Sequence, residues 1–211
     1  MIRFVSFEGG DGTGKTTQIR ALESYLTQRG RASLITREPG DNSLGKLIRQ
    51  ILLEVGEHEV APATELFLYL ADRAQHVAEL IRPALDAGKI VLCDRFTDST
   101  LAYQGYGRGI DLKLLRQLND LADAGVRPDL TFLLDCPVAL GLSRTSQRQS
   151  EAGQPREDRF EREKVEFHEK IRAGFLEMAR AEPTRFRVID AAQSVEAVWR
   201  DIQSIVEREF S

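Results

Sequence analysis

Residues 9–16 read Gly9-Gly10-Asp11-Gly12-Thr13-Gly14-Lys15-Thr16 and satisfy the pattern G-x-x-x-x-G-K-[ST]. The pattern marks a phosphate-binding loop when a strand leads into it and a helix leaves it. Both conditions are met here. Residues 2–7 mix β-branched and aromatic side chains, the composition of a buried strand, while Ile19, Leu22 and Leu26 recur at helical spacing from Thr16 onward. Gly30 stands where a left-handed C-terminal cap would close that helix. Glycines let backbone N–H groups turn inward on a polyphosphate, and the helix N-terminus adds the positive end of its dipole. Lys15 would reach the β- and γ-phosphates, and the Thr16 hydroxyl could ligate Mg²⁺.

Such a loop needs a parallel sheet behind it, and the periodicity along the chain supplies one. Short apolar runs at 32–36, 90–93, 130–134 and 186–189 read as four further strands. Helical stripes fall between them at 44–53, from Pro62 to Ile81, at 112–121, at 137–148, at 160–181 and at 195–206. Pro83 lies inside the second stripe and should kink or end it, although Leu85 suggests that helix continues briefly. Parallel neighbours require crossover connections, so the expected fold is α/β: an open parallel five-stranded sheet with helices on both faces. Residues 1–211 read as a single domain, with a breaker-rich segment at about 146–162 as a mobile lid.

Composition narrows the function. A net charge of −4 argues against a nucleic-acid binder that relies on a general basic field. No apolar run reaches the length of a membrane span, and the first residues lack a signal-peptide core. Cys93 and Cys136 give neither a disulfide framework nor a zinc pattern, so a reducing cytoplasm is the expected location. His58, His76 and His168 have no metal-ligand spacing and read as structural or surface residues.

The loop says nucleoside triphosphate without saying what is done with it. No N-K-x-D element follows, which disfavours a switch GTPase, and the strand at 90–94 ends in Asp94-Arg95 rather than in a plain acidic pair, which disfavours a motor ATPase. A carboxylate at the C-terminal end of a strand in an open sheet lies at the ligand crevice, where it can orient a magnesium water, and the adjacent arginine can hold a second phosphate.

Five blocks extend the pattern: Phe7-Glu8-Gly9 running through the loop to Thr17, Thr36-Arg37-Glu38-Pro39-Gly40, Ala71-Asp72-Arg73-Ala74-Gln75-His76, Asp94-Arg95-Phe96 with Ser99 to Gly105, and Asp158-Arg159-Phe160-Glu161. In these the chain resembles the thymidylate kinase family of P-loop nucleoside monophosphate kinases, its bacterial members above all. The resemblance implies transfer of the ATP γ-phosphoryl group to thymidine 5′-monophosphate (dTMP), with Mg²⁺ required, in a homodimer whose apolar face the helices near Pro62 and Leu112 could supply. It makes Gly10, Asp11, Gly12, Thr13, Gly14, Lys15, Thr16 and Thr17 the ATP-binding residues, and Thr16 with Asp94 the metal site. Phe67 would stack on thymine, Arg73 would bond a thymine carbonyl, Thr100 and Gln104 would address the base edge, and Tyr103 would crowd the sugar 2′ position. Arg95, helped by Arg37, would hold the acceptor phosphate, with Asp11 close to the acceptor's sugar and phosphate.

Spacing alone would make Phe67 a core residue and Arg73 a solvated helix charge; their place on one helix, in a chain with this loop, turns the reading toward function. Gly12 stands where some members carry an arginine, so the catalytic arginine is expected from the lid set Arg148, Arg156, Arg159 and Arg162, with Arg156 or Arg159 foremost. Those charges, mixed with acidic neighbours, could also be a solvated helix face. Ala139, where similar proteins commonly have an acidic residue, is given no role. Two rivals remain: a kinase for another acceptor, and a nucleotide-gated switch that transfers no phosphate.

Overall fold

The computed structural model describes residues 2–53, 60–152 and 159–210. Five parallel strands form one sheet: β1 (Phe4–Glu8), β2 (Ser33–Arg37), β3 (Ile90–Asp94), β4 (Leu130–Asp135) and β5 (Phe186–Asp190), in the order β2-β3-β1-β4-β5. The pairings Val5 with Leu92 and with Leu130 set β1 at the centre. All five residues of β1 are buried, the polar Ser6 and Glu8 included, as expected of the central strand in a sheet covered on both faces.

Alternation along β1 divides the core. Val5 and Phe7 pack with Ile19, Leu22 and Leu26 of α1 (Lys15–Gln28) and with Val198, Ile202 and Val206 of the C-terminal helix, Val195–Glu209. Phe4 faces the other way, against Val77, Ile81, Val91 and Phe96. Gly30, at φ 67°, closes α1 as the spacing predicts: its N–H donates to Thr27 O, and the Arg31 N–H donates to Leu26 O.

On the second face lie α2 (Ser43–Leu53), α3 (Pro62–His76) and, beyond a π-helical turn over Val77–Ile81, α4 (Arg82–Asp86). Pro83 therefore does not end the run; the wider turn before it absorbs the carbonyl that a proline cannot bond. After β3 come a single turn, α5 (Thr97–Thr100), and a second π turn over Leu101–Gly107, neither of which has an apolar period to announce it. The remaining helices are α6 (Leu112–Asp123), α7 (Val138–Ala152), α8 (Val165–Ala181) and α9 (Val195–Glu209). Two boundaries depart from expectation: α7 runs past Ser150 to Ala152, and Phe160 sits in a 3₁₀ turn (Arg159–Arg162) ahead of α8 rather than inside it. Residues 153–158 of the expected lid, Arg156 among them, lie outside the described residues, as does His58.

From β1 the chain passes to the sheet edge at β2, returns to β3 beside β1, then crosses to β4 on the other side. The C-terminal end of β1 is thus the switch point of the sheet, where an open α/β fold leaves its crevice.

Candidate active site

The phosphate loop leaves β1 at that point. Lys15 is folded back into it, its Nζ donating to Gly10 O at 2.8 Å and Gly9 O at 3.1 Å. Thr13 Oγ1 donates to Gly10 O at 3.0 Å, and Thr16 Oγ1, in the first turn of α1, donates to Asp94 Oδ2 at 2.9 Å. Burial and then the nearby Arg95 charge push the Lys15 ammonium down to about 8, against the pull of Asp94, Asp11 and Glu8. The cradle thus buries its lysine beside a second cation, Arg95, with Asp94, Asp11 and Glu8 as the nearby counter-charges.

Arg95 follows β3 and holds a backbone φ of 70°, a conformation most side chains avoid at a cost of about 1 kcal/mol or more. Several bonds keep it there. Its N–H donates to Phe7 O at 3.0 Å, the Cys93 thiol donates to its carbonyl at 3.0 Å, and the next residue's N–H, from Phe96, donates to Glu8 Oε1 at 2.7 Å. Glu8 also takes Ser99 Oγ at 2.6 Å; burial, and secondarily Asp98, pushes its carboxyl up to about 8. The strain aims the Arg95 guanidinium across the loop, onto Asp11 Oδ1 at 2.6 Å and Gly9 O at 3.1 Å. Burial opposes charge on Asp11, but Arg95 and Lys15 outweigh it and its pKa is lowered. The Tyr103 ring lies 5.0 Å from the Arg95 guanidinium, with its hydroxyl 3.5 Å from Asp11 Oδ2.

A cleft of about 390 Å³ joins this cluster to a second one. Arg73, on α3, is almost wholly buried yet lines the cleft. Its Nε donates to Glu38 Oε2 at 2.9 Å, with Nη2 ion-paired to the same oxygen at 2.8 Å, and its Nη1 donates to Thr100 Oγ1 at 2.9 Å and Asn119 Oδ1 at 2.6 Å. Gln104 stands beside them and donates from Nε2 to Glu65 Oε1 at 2.9 Å. Of the residues expected to bind substrate, Arg37, Arg73, Arg95, Thr100, Tyr103 and Gln104 all line this one cleft. Phe67 does not. It is 62% exposed on the outside of α3, and the aromatic that α3 does bring to the cleft is Tyr69. The helical period explains the correction: Tyr69 and Arg73 are i and i+4 and share a face, whereas Phe67 points away. That spacing is a signal the sequence already carried. His76 is buried beneath the cleft rather than in it, between Thr36 Oγ1 and Glu38 Oε1.

The arginines over the cradle come from α7. A Cβ on Gly12 would lie 2.0 Å from Gly141 O, and one on Gly141 would lie 2.4 Å from Asp11 O. Loop and helix are thus in backbone contact, with no room for an arginine at position 12. Gly141, Thr145 and Arg148 follow at intervals of about one turn, so the face that abuts the loop also carries Arg148, and both Arg144 and Arg148 line the cleft. Arg159 is elsewhere. Its guanidinium is paired with Glu65 and donates to Leu52 O at 3.3 Å and Val60 O at 3.4 Å, so the expectation of Arg159 over the phosphates is not met in this arrangement. Arg156 lies outside the described residues, and the Arg162 side chain is likewise not described. Glu65, Tyr69 and Arg144 complete the site without having been singled out by pattern, as does Glu38, which stands in one of the blocks but was given no role. The two glutamates could be found only by knowing which buried donors they face.

The chain as a whole is similar to known proteins. The family model described as thymidylate kinase matches residues 7–202. The thymidylate kinase of Desulfovibrio desulfuricans is 54% identical over 205 residues, 97% of this chain and 94% of that one, and the thymidylate kinase of Geobacter sulfurreducens is 55% identical over 203 residues, 96% and 95% of the two chains. A crystal structure of thymidylate kinase from Ehrlichia chaffeensis superposes with a TM-score of 0.77 at 35% identity, covering 97% of both chains. With a family match along nearly its whole length and relatives that share more than half its residues, this chain belongs to the thymidylate kinase family.

Proposed function

We propose that the chain transfers the γ-phosphoryl group of ATP to dTMP, giving ADP and thymidine diphosphate. One observation carries the reading: a single cleft has a phosphate cradle at one end, buried base-reading groups at the other, and Arg95 between them. Phosphoryl transfer asks the protein for alignment and for positive charge on the moving oxygens, with little covalent chemistry. Gly10 to Thr17 hold the donor phosphates, with Lys15 as the charge nearest the transferred group. Arg95, with Arg37, holds the acceptor phosphate, and Asp11 fixes the Arg95 fork. Arg148, rather than Arg156 or Arg159, is the lid arginine in this assignment, in a domain of residues 1–211 with its lid at 146–162.

The donor set fits Mg²⁺. A hydroxyl and one carboxylate 2.9 Å apart, at the mouth of the cradle, suit an ion that keeps most of its waters and takes its other ligands from phosphate. No cluster of three His, Cys, Asp or Glu side chains that could form a dedicated metal cage occurs among the described residues. Thr16 and Asp94 would hold the ion, whose chemistry there is neutralisation of charge on the β- and γ-phosphate oxygens.

Purified protein with ATP, Mg²⁺ and each nucleoside monophosphate in turn is expected to release ADP rapidly with dTMP and little with the cytidine or guanosine compounds. Absence of any acceptor-dependent release would favour the nucleotide switch.

The same reading places the protein in the cytoplasm as a homodimer. No helix among the described residues is long and apolar enough to cross a membrane. Exposed Leu47, Ile51, Phe67 and Leu121 lie on α2, α3 and α6, helices that pack on one another and leave apolar surface for a second copy. Tyr69 and Phe67 can be told apart in one experiment. Tyr69→Ala is expected to raise the KM for dTMP about tenfold, the usual loss of a base-stacking ring. Phe67→Glu is expected to leave that KM in place while sedimentation velocity shifts from two chains to one. The reverse pattern would return Phe67 to the base.

A further inference from the structure

Glu65 is a carboxylate that the reaction itself does not touch. It lies in the first turn of α3 with no exposed surface. Its Oε1 receives Gln104 Nε2 at 2.9 Å and Arg108 Nε at 3.3 Å; its Oε2 receives Arg108 Nη2 at 3.2 Å and the paired Arg159. All of these partners are donors. A carboxylate held between two guanidinium groups can only accept.

The side-chain amide of Gln104 has two chemically opposite ends, and its partners decide which end points where. Because Glu65 accepts only, the NH₂ end must turn toward it. The carbonyl Oε1 is then the atom left for the cleft that Gln104 lines. Gln104 is itself 1% exposed, so water cannot compensate for the opposite orientation, which would set the carbonyl against a carboxylate oxygen at low dielectric.

Arg73 supplies the complementary half. An arginine has five N–H groups; three hydrogen bonds, to Glu38, Thr100 and Asn119, use Nε and Nη1, and Nη2, ion-paired with Glu38 Oε2, keeps an N–H to spare. The cleft therefore offers a donor from Arg73 and an acceptor from Gln104. A pyrimidine edge with a ring carbonyl beside a ring N–H matches that pair, as in thymine. Cytosine presents an amino group and an unprotonated nitrogen there, the reverse at both positions.

The geometry points to Glu65 as a specificity-determining positioning residue: by taking the amide nitrogen of Gln104 it commits the Gln104 carbonyl to the cleft, and so commits the pocket to bases that carry a proton on N3. This rests on dTMP being the acceptor. It adds a residue outside the cleft that sets which pyrimidine is read.

The test compares kcat/KM for dTMP and for dCMP in the wild type, in Glu65→Gln, in Gln104→Leu and in the double variant. An amide at position 65 can bond either end of Gln104, so in Glu65→Gln the dTMP-to-dCMP ratio is expected to fall about tenfold, mainly through KM, the scale on which a misplaced buried hydrogen bond is felt. In the double variant the ratio should match that of Gln104→Leu alone, because the two residues act as one unit. A ratio unchanged in Glu65→Gln, or two effects that simply multiply, overturns the role of Glu65 while leaving dTMP as the acceptor. A wild type with no preference for dTMP overturns both readings together. Should Glu65→Gln fail to fold, the ¹⁵N-labelled wild type decides. The side-chain NH₂ signals of Gln104, identified by their loss in Gln104→Leu, are expected to hold their shifts when dTMP is added. A large shift in those signals would place the nitrogen on the base and overturn the proposal.

Discussion

Lys15→Ala is expected to lower turnover by about 10³-fold or more while leaving dTMP binding measurable by calorimetry, the scale set by removal of one preorganised charge from a transition state. The Lys15 ammonium touches only the loop, at Gly9 O and Gly10 O, and makes no contact with Arg73, Thr100 or Gln104. Donor and acceptor ends should therefore separate in the variant. A proton-linked signature accompanies this. Burial, then Arg95, holds the free lysine near 8, so at pH 8 about half the molecules carry a neutral amine. Polyphosphate favours the charged form and raises that pKa, so ATP binding near pH 8 should take up a proton. The calorimetric enthalpy of ATP binding should then vary with the ionisation enthalpy of the buffer in the wild type and cease to do so in Lys15→Ala. Buffer-independent enthalpy in the wild type, or turnover preserved in the variant, would take Lys15 out of the mechanism.

What the sequence made legible follows the range of the forces involved. β1, the loop and α1 are specified within thirty residues by alternation, a glycine pattern and a helical stripe, and all three stand where the pattern puts them. The Asp94-Arg95 pair was legible because a strand end fixes where two adjacent residues lie. The turns over Thr97–Thr100 and Leu101–Gly107 were not, since their helical form is held by packing on α8 and α6 rather than by any period of their own. They carry Thr100, Tyr103 and Gln104, so part of the site sits on the least legible part of the fold.

The errors are also informative. Phe67 failed on angle: an aromatic near Arg73 in sequence is near it in space only at i−3 or i−4. The roles of Glu38 and Glu65 escaped for another reason. Their work is to hold other side chains by contacts that span more than thirty residues, and a single chain without alignment carries no trace of such pairings.

Arg148→Ala is expected to cost about 10³-fold in kcat with little change in the KM for dTMP, in the manner of an arginine that meets charge only in the transition state. The case rests on how α7 is fixed. Gly141 and the loop at Asp11 and Gly12 touch backbone to backbone, and Arg144 donates to Ala191 O at 2.7 Å, so the helix is pinned at its start and along its length. Arg148, two turns beyond Gly141, is carried to the cleft by this helix rather than by a loop. Arg159 differs in what holds it. Its charge is already committed to Glu65, and recruiting it to the phosphates would leave a fully buried carboxylate with one fewer partner. Arg159→Ala should accordingly lower the melting temperature and disturb base discrimination through Glu65 more than it lowers kcat. Rapid-quench measurement of the chemical step in both variants separates the two roles. A large loss in Arg159→Ala with none in Arg148→Ala would mean that the catalytic complex breaks the Arg159–Glu65 pair, and that the transition-state arginine is Arg159 after all.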